Sequence, residues 1–308
     1  MMLHVLLLTV GFVFLVKGAD WFVEGAAGIA KKLGIPQLVI GLTIVAMGTS
    51  MPEAAVSITS ALSGSAGISI GNVVGSNILN ILIILGITAV LTNVRIQKTT
   101  FRYEIPFMIG ITIILMAFGI TGNQITFLEG ILFWLLFLIF LGYLFVISKK
   151  GSVQDEEEIK ELPLWKGVLG IIIGGILVVK GSDFAVEGAT EIARYFGMSE
   201  RFIGLTIVAF GTSLPELVTS VTAARRGNAD IAIGNIVGSN IFNILFVIGT
   251  TALICNVPFD QKFVIDTIVA IFSGVLLWAG TIRYKELRKN CGIVMLLCYA
   301  GYFIYLCR

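Results

Sequence analysis

An internal repeat constrains the fold of this chain more than any other feature. When the sequence is shifted by 163 residues, residues 17–86 align with residues 180–249 without a gap, and about 40 of these 70 positions are identical. The chain therefore contains two copies of one structural unit. The longest shared stretches are Ile-Gly-Leu-Thr-Ile-Val-Ala at 40–46 and 203–209, Gly-Thr-Ser-x-Pro-Glu at 48–53 and 211–216, and Gly-Asn-x-Val-Gly-Ser-Asn-Ile-x-Asn at 71–80 and 234–243.

The composition predicts that both copies lie in a membrane. Of the 308 residues, 57% are apolar and only 13% are charged, and 35 more are glycine. Soluble domains are roughly 25% charged, so this chain has too little charge to cover a water-exposed surface. Its net charge of +2 offers no electrostatic footprint for nucleic acid. We expect an integral membrane protein that contacts the lipid bilayer and binds no nucleic acid.

Apolar runs of about 20 residues, the length that crosses the hydrocarbon layer as a helix, recur along the whole chain. The predicted fold class is all-α, with ten transmembrane helices arranged as two inverted five-helix repeats at 1–148 and 164–308, joined by an acidic linker at 149–163. Because five is odd, the second copy enters the membrane upside down, as in secondary transporters whose substrate site lies near the midplane. The predicted helices are 3–30, 37–62, 67–91, 103–120, 125–147, 164–193, 202–224, 230–254, 262–281 and 290–307.

Basic residues predict the orientation of these helices. With both termini outside, 15 lysines and arginines fall in the inside loops and only 4 fall in the outside loops. This asymmetry favours a plasma (inner) membrane location with the acidic linker in the cytoplasm. The first apolar run continues as Lys17-Gly-Ala-Asp-Trp-Phe without a cleavage site, so we interpret it as a retained first span.

The counts of other reactive residues exclude several kinds of site. His4 is the single histidine, which excludes a His-based zinc site, a Ser-His-Asp triad and a histidine proton relay. The acidic linker lacks the spacing of an EF-hand loop and is interpreted as solvated. We therefore expect no cofactor and no enzyme activity. The four cysteines form no CxxC pair and are interpreted as small hydrophobic residues: Cys255, Cys291, Cys298 and Cys307.

Glu53 and Glu216 are the repeated residues with the strongest functional signal. Each lies inside an otherwise apolar helix, where a charge costs at least a few kcal/mol and is normally functional. Each follows a proline, Pro52 or Pro215, which leaves the carbonyl four residues earlier without its usual donor. We expect each helix to open there for about a turn, with carbonyls and Thr/Ser hydroxyls facing the carboxylate. A proline kink with the glutamate bonded to a neighbouring helix is the alternative.

The available oxygen atoms point to a hard cation. Two bidentate carboxylates supply four oxygens, and one carbonyl from each copy, Thr49 and Thr212, makes six, which fits the six to eight ligands of Ca²⁺. The charge of −2 on the two glutamates matches one Ca²⁺. The absence of nitrogen and sulfur ligands from the motifs argues against zinc and copper. Hydroxyls and amides suited to Na⁺ are available from Ser50, Ser76, Asn80, Ser213, Ser239 and Asn243.

Two further patterns recur in both copies. The Gly-x-x-x-Gly pairs, Gly71/Gly75 and Gly234/Gly238, are interpreted as sites of close helix approach. A charged stripe on one helix face is interpreted as local ion pairs near the interface, with ion-entry or gating groups as the alternative. The stripe consists of Lys17, Asp20 and Glu24, with Lys180, Asp183 and Glu187 in the second copy.

With these motifs, the chain resembles the cation/calcium exchanger superfamily, and more closely its prokaryotic sodium/calcium antiporters, over nearly its whole length. The resemblance implies a secondary active antiporter that exchanges Ca²⁺ for Na⁺ as substrates by alternating access, with sliding of the first and sixth helices. It implies no obligate protein partner. The implied ion ligands are Ala46, Thr49, Ser50, Glu53, Ser76 and Asn80, with Ala209, Thr212, Ser213, Glu216, Ser239 and Asn243 in the second copy.

Two departures qualify this resemblance. Some relatives carry aspartate where this chain has Asn243, which argues against potassium co-transport. The linker is too short for the calcium-sensing domains of the animal exchangers.

Because two buried carboxylates have raised proton affinity, a Ca²⁺/H⁺ antiporter is the alternative. A channel gives no reason for an inverted duplicate site, and an enzyme lacks a nucleophile–base pair.

Overall fold

The computed structural model describes residues 2–150, 162–198 and 209–306. The helices of the first half are α1 Met2–Leu33, α2 Gln37–Thr49, α3 Met51–Leu62, α4 Gly67–Leu91, α5 Thr100–Gly122 and α6 Phe127–Lys150. Those of the second half are α7 Leu164–Tyr195, α8 Ala209–Gly211, α9 Leu214–Arg225, α10 Ala229–Ile254, α11 Gln261–Thr281 and α12 Lys289–Leu306. The strands are β1 Val94–Arg95, β2 Gln124–Ile125, β3 Val257–Pro258 and β4 Glu286–Leu287.

The structure is that of an all-α membrane protein. Within the described ranges, eight helices are long and apolar enough to cross a membrane, and the bent pair α2–α3 makes a ninth. Their outer faces expose leucine, isoleucine and phenylalanine side chains, as contact with lipid chains requires. The predicted helix at 202–224 begins outside the described residues, and only its part from Ala209 onward is seen. The predicted linker at 149–163 also lies mostly outside them.

Helices α4 and α10 form the centre of the molecule. They are the most deeply buried of the long helices, and α10 is buried along nearly its whole length. Both also carry serine and asparagine side chains within their apolar sequences, and most of these polar side chains are buried. Helices α4 and α10 carry the repeated motif Gly-Asn-x-Val-Gly-Ser-Asn-Ile-x-Asn. The fold therefore places this motif in the protein core.

Helices α1 and α7 pack along a seam of glycines, which we call the glycine seam. A Cβ atom built on Gly174 would lie 2.6 Å from the backbone nitrogen of Phe22, and one on Gly25 would lie 2.6 Å from the carbonyl oxygen of Gly167. Backbone therefore meets backbone directly, and the order of the contacts makes the helices antiparallel. The seam consists of Gly11, Gly18 and Gly25 on α1 and Gly167, Gly174, Gly181 and Gly188 on α7. Their seven-residue spacing places each set on one helix face.

Two short antiparallel ladders group the loops at opposite ends of the molecule. Strand β1 pairs with β4, with Val94 opposite Leu287, and β2 pairs with β3, with Ile125 opposite Val257. The first ladder joins loops that are both predicted inside, and the second joins loops that are both predicted outside. The grouping of these loops is therefore as predicted, and the assignment of each end to a membrane side stays a prediction.

Candidate functional site

Each repeated Thr-Ser-x-Pro-Glu segment interrupts its helix. Helix α2 ends at Thr49, α3 begins at Met51, and the two helices meet at an angle of 49°. In the second copy, α9 begins directly after Ser213. In both cases the proline lies in the first turn of the new helix, where its missing N–H costs no hydrogen bond. The helix break predicted from Pro52 is confirmed.

One carbonyl that the proline frees does not serve the carboxylate. The carbonyl oxygen of Gly211 accepts a hydrogen bond of 2.6 Å from the hydroxyl of Ser182 on α7. The expectation that every freed carbonyl faces the glutamate is therefore wrong for Gly211. The bond instead ties the helix break to α7, and Ser182 is buried.

Glu53 and Glu216 are fully buried and are joined by hydroxyl groups from both copies. The Ser50 hydroxyl donates to Oε1 of Glu216 at 2.8 Å. The Ser76 hydroxyl donates to Oε1 of Glu53 at 3.2 Å and lies 3.4 Å from the hydroxyl of Ser213. Ser50 thus bonds the glutamate of the opposite copy, and Ser76 connects Glu53 to the other helix break. The structure brings the two predicted glutamates into one site.

Two asparagines that the sequence analysis did not assign hold the backbone at each glutamate. Asn72 donates to the carbonyl oxygen of Glu53 at 3.1 Å and to the hydroxyl of Ser57 at 2.9 Å. Asn235 donates to the carbonyl oxygen of Glu216 at 3.5 Å and to the hydroxyl of Ser220 at 2.9 Å. The sequence did carry a signal for them, because the repeated stretches at 71–80 and 234–243 both begin with Gly-Asn.

Four more asparagines cross-link α4 and α10, and we call them the asparagine ring. The side-chain amide of Asn77 donates to the carbonyl oxygen of Asn240, and that of Asn240 donates to the carbonyl oxygen of Asn77, both at 3.2 Å. Asn80 donates to Oδ1 of Asn240 at 2.9 Å, and Asn243 donates to Oδ1 of Asn77 at 3.1 Å. Each bond joins one repeat to the other.

The asparagine ring fixes which atom of each side chain remains available. Backbone carbonyls only accept hydrogen bonds, so Asn77 and Asn240 must direct their NH₂ groups at them. Their Oδ1 atoms then need donors, which Asn80 and Asn243 supply. As a result, Oδ1 of Asn80 and Oδ1 of Asn243 are left without a hydrogen-bond partner among the described residues. The orientation of all four amides therefore follows from two backbone carbonyls.

Each of the two buried carboxylates also has an oxygen without a partner among the described residues. Within the described ranges, Oε2 of Glu53 and Oε2 of Glu216 are also buried without a partner. Unpaired buried oxygens are costly and call for a ligand or ion. A π-helical turn begins at each of Asn80 and Asn243, a local widening common at functional sites. The site thus offers four unpaired oxygens in two repeat-related pairs.

The other predicted ligands lie around the same centre. The Ser239 hydroxyl donates to the carbonyl oxygen of Ala46 at 3.3 Å. The Thr49 hydroxyl lies 3.0 Å from Oδ1 of Asn235, which connects α2 to α10. Thr212 lines the cavity described below. Ala209 is the first residue of α8 and directly follows residues 199–208, which the structure does not describe.

A cavity of about 1050 Å³ leads from one end of the molecule to the site. Its mouth is lined by the loop before α4 and by Asn256, Pro258 and Asp260, at the end that carries β2 and β3. Its inner end reaches Ser76 and Thr212. Because Ser76 bonds Glu53, the cavity ends one side chain away from this carboxylate, which is itself fully buried.

The opposite end of the site is closed by helix packing. A Cβ on Gly238 would lie 2.8 Å from Cβ of Ala46, and one on Gly234 would lie 3.0 Å from Cα of Gly41. The close approach predicted for these glycines is confirmed. Their counterparts in the first copy differ: nothing in the described part of the chain lies within 4 Å of a Cβ on Gly75, and only the ring of Phe263 lies near Gly71.

The charged stripe on α1 pairs differently from the prediction of local ion pairs. Arg226, which follows α9, binds Asp20 at 2.8 Å and Glu24 at 3.4 Å. These contacts join α1 to the closed end of the core, so the local interpretation is wrong for the first copy. In the second copy Lys180 does pair locally with Asp183, at 3.1 Å.

Comparisons with known proteins agree with this architecture. The family model described as sodium/calcium exchanger protein matches residues 3–146 and 166–308. The putative antiporter CaxA of Alkalimonas amylolytica is 38% identical and the sodium/calcium exchanger MaX1 of Methanosarcina acetivorans is 32% identical. These alignments cover 98% of this chain in both cases, and 98% and 97% of the relatives. A solved structure of the sodium-calcium exchanger NCX_Mj is 32% identical, covers 97% of each chain and gives a TM-score of 0.84.

The asparagine ring predicts the effect of an aspartate at position 243. In Asn243→Asp the carboxylate has no N–H for Oδ1 of Asn77, so two acceptors face each other in a buried site. We expect a loss of about 1–3 kcal/mol in the free energy of unfolding, measured as a lower Tm of the purified protein at neutral pH. The exposed Asn290→Asp is the control and should leave Tm unchanged. An unchanged Tm in Asn243→Asp would contradict the assigned ring.

Proposed function

Because the chain belongs to the sodium/calcium exchanger protein family, we propose that it is a secondary active antiporter that exchanges Ca²⁺ for Na⁺ across a membrane. In this proposal, residues 1–148 and 164–308 form two inverted five-helix repeats, and the ions bind between them. The Ca²⁺/H⁺ alternative uses the same two glutamates and is separated from this proposal by the experiment below.

The observation that carries the proposal is the group of unpaired buried oxygens on Glu53, Glu216, Asn80 and Asn243. Two carboxylates buried in one site need a compensating positive charge, and neither forms an ion pair with a described residue. Oxygen ligands of mixed charge suit Ca²⁺, which accepts carboxylate and amide oxygens in flexible geometry. The proposed ligands are the twelve residues that the family resemblance implies, six in each copy. Glu53 and Glu216 supply the charge.

Sodium as the counter-ion is supported by the neutral groups of the site. The hydroxyls of Ser50, Ser76 and Ser213 surround the carboxylates and are joined to one another or to them. Hydroxyl and amide oxygens hold a monovalent hard cation without further charge. Asn243 is neutral, so the proposed cycle requires no K⁺. Ca²⁺ and Na⁺ would compete because the hydroxyls that would hold Na⁺ are bonded to the carboxylates that would hold Ca²⁺.

The unequal packing of the repeated glycines supports alternating access. In the present arrangement, Gly234 and Gly238 are packed against α2, and a cavity reaches Ser76 from the opposite end. Because Gly71 and Gly75 are the repeat counterparts of these glycines, the opposite state would exchange the two packings. The predicted topology places the cavity mouth outside, so we assign this structure to an outward-facing state.

The proposed function predicts the ion dependence of transport. Purified protein in Na⁺-loaded liposomes should accumulate radiolabelled Ca²⁺ after dilution into Na⁺-free choline buffer, without K⁺ on either side. Glu53→Gln and Glu216→Gln should each reduce the initial rate by at least about a hundredfold, since each removes half of the charge that compensates the ion. Glu104→Gln is a matched control, because Glu104 is also a buried membrane carboxylate but bonds Tyr143 outside the site.

Three outcomes of this flux experiment contradict parts of the proposal. Uptake driven by a pH gradient in the absence of Na⁺ would replace Na⁺ by H⁺ as the counter-ion. Unimpaired uptake in either glutamine variant would refute the assigned site. Loss of uptake in Glu104→Gln equal to that in the site variants would show that the assay reports on burial of any carboxylate.

The assignment to an outward-facing state predicts a difference between two repeat-related serines. In a background whose native cysteines are replaced, Ser76→Cys should react with a small charged thiol reagent, because Ser76 lines the cavity. Ser239→Cys should be protected, because Ser239 is fully buried against Ala46. Mass spectrometry of the ion-free protein gives both labelling rates. Equal rates, or faster labelling at position 239, would contradict the assignment.

A further inference from the structure

Seven of the chain's 21 lysine and arginine residues lie in the segments that form and flank the β1–β4 ladder. Residues 94–102 and 283–289, which we call the basic ladder face, contain seven basic residues and a single acidic residue, Glu286. Glu286 lies between two of the arginines, 3.9 Å from Arg95 and 3.3 Å from Arg288. One carboxylate therefore serves two arginines. Asp230, to which Gln97 donates a hydrogen bond, is a second carboxylate at this face, so seven basic residues stand against two acidic ones.

The fold itself does not require this charge. The β2–β3 ladder is the repeat counterpart of the β1–β4 ladder at the other end of the molecule. Its corresponding residues, 121–127 and 257–265, contain only Lys262 and Asp260 as charged residues. The same backbone arrangement thus exists without the cations. Basic loops also set membrane orientation, but that effect depends on charge alone and does not call for ordered aromatic partners.

The basic ladder face combines its cations with aromatic rings. The ammonium of Lys285 lies 3.0 Å from the ring centroid of Phe101, and the indole of Trp278 donates to the carbonyl oxygen of Phe101 at 3.0 Å. Arg288 stacks over Tyr284 at 3.7 Å. These contacts hold the loop after α11 against the start of α5. The charged groups therefore belong to an ordered surface.

Two of its arginines stand next to exposed tyrosines at helix ends. Arg102 lies 5.9 Å from the ring of Tyr103 at the start of α5, and Arg283 lies 5.1 Å from the ring of Tyr284 after α11. Both tyrosines are about half exposed. Amphipathic aromatic rings at the ends of membrane helices sit at the level of lipid headgroups. We therefore expect the adjacent guanidinium groups to lie at the depth of the phosphate layer.

We propose that the basic ladder face binds the headgroup of an anionic phospholipid. Guanidinium groups bind phosphate oxygens through paired N–H donors, and juxtamembrane clusters of lysine and arginine attract anionic lipids. The exposed apolar side chain of Ile282 beside Arg283 is available for contact with the acyl chain. The inference is independent of which ions the protein exchanges, because it uses no residue of the ion site.

The test is a lipid titration of the purified chain followed by native mass spectrometry, with phosphatidylglycerol and phosphatidylcholine as the probes. The native protein should retain phosphatidylglycerol preferentially. Arg102→Gln/Arg283→Gln should lower its affinity for phosphatidylglycerol by at least about fivefold and leave phosphatidylcholine binding unchanged. Arg102→Lys/Arg283→Lys keeps the charge and should retain most of the preference.

A matched control removes two charges elsewhere on the same predicted membrane side. Lys149 and Lys166 also lie over aromatic rings, those of Phe145 and Trp165, but outside the basic ladder face. Lys149→Gln/Lys166→Gln should bind phosphatidylglycerol as the native protein does. Equal retention of the two lipids by the native protein would overturn the proposal. So would an equal loss of phosphatidylglycerol in the control variant and in Arg102→Gln/Arg283→Gln.

Discussion

The burial of two carboxylates in one site is the constraint on which the rest of this structure depends. Glu53 and Glu216 are fully buried, and their described partners are hydroxyl and backbone groups rather than basic side chains. Removing carboxylates from water is expensive unless a positive charge compensates. The surrounding architecture meets this requirement only in part: one oxygen of each carboxylate is bonded, and the other is left without a partner within the described ranges. In our proposal, a cation held by both repeats completes the balance.

The asparagine ring explains how the two repeats present these oxygens together. Its four hydrogen bonds all run between α4 and α10, so neither repeat can form it alone. It orients Asn80 and Asn243 with their amide nitrogens bonded and their oxygens free. Two glycine-lined contacts surround this fixed centre. One is the glycine seam, which joins α1 and α7 into a single unit, and the other is the packing of Gly234 and Gly238 on α2. The contact of Gly234 and Gly238 with α2 interlocks no large side chains, which suits the movement that the proposed alternating access requires.

The sequence predicted the parts of this site that depend on local chemistry. Pro52 indicated the helix break, and the repeated glutamates, serines and asparagines indicated which side chains would gather. The remaining features depend on tertiary contacts that no local pattern specifies. Arg226 meets Asp20 and Glu24 only because α9 ends beside α1. Likewise, the free carbonyl of Gly211 is taken by Ser182, since α7 passes next to the break. The glycine seam has a seven-residue period that was visible in the sequence, but only the fold shows that its two halves face each other.

A single cation site shared by the two repeats can be tested by equilibrium binding of radiolabelled Ca²⁺ to the purified protein. We expect one Ca²⁺ per chain, displaced by Na⁺ but not by K⁺, with binding abolished in Glu53→Gln/Glu216→Gln. Binding of two Ca²⁺ with independent affinities would mean that each repeat holds its own ion. Binding that is insensitive to Na⁺, or that persists in the double variant, would contradict a single cation site shared by the two repeats.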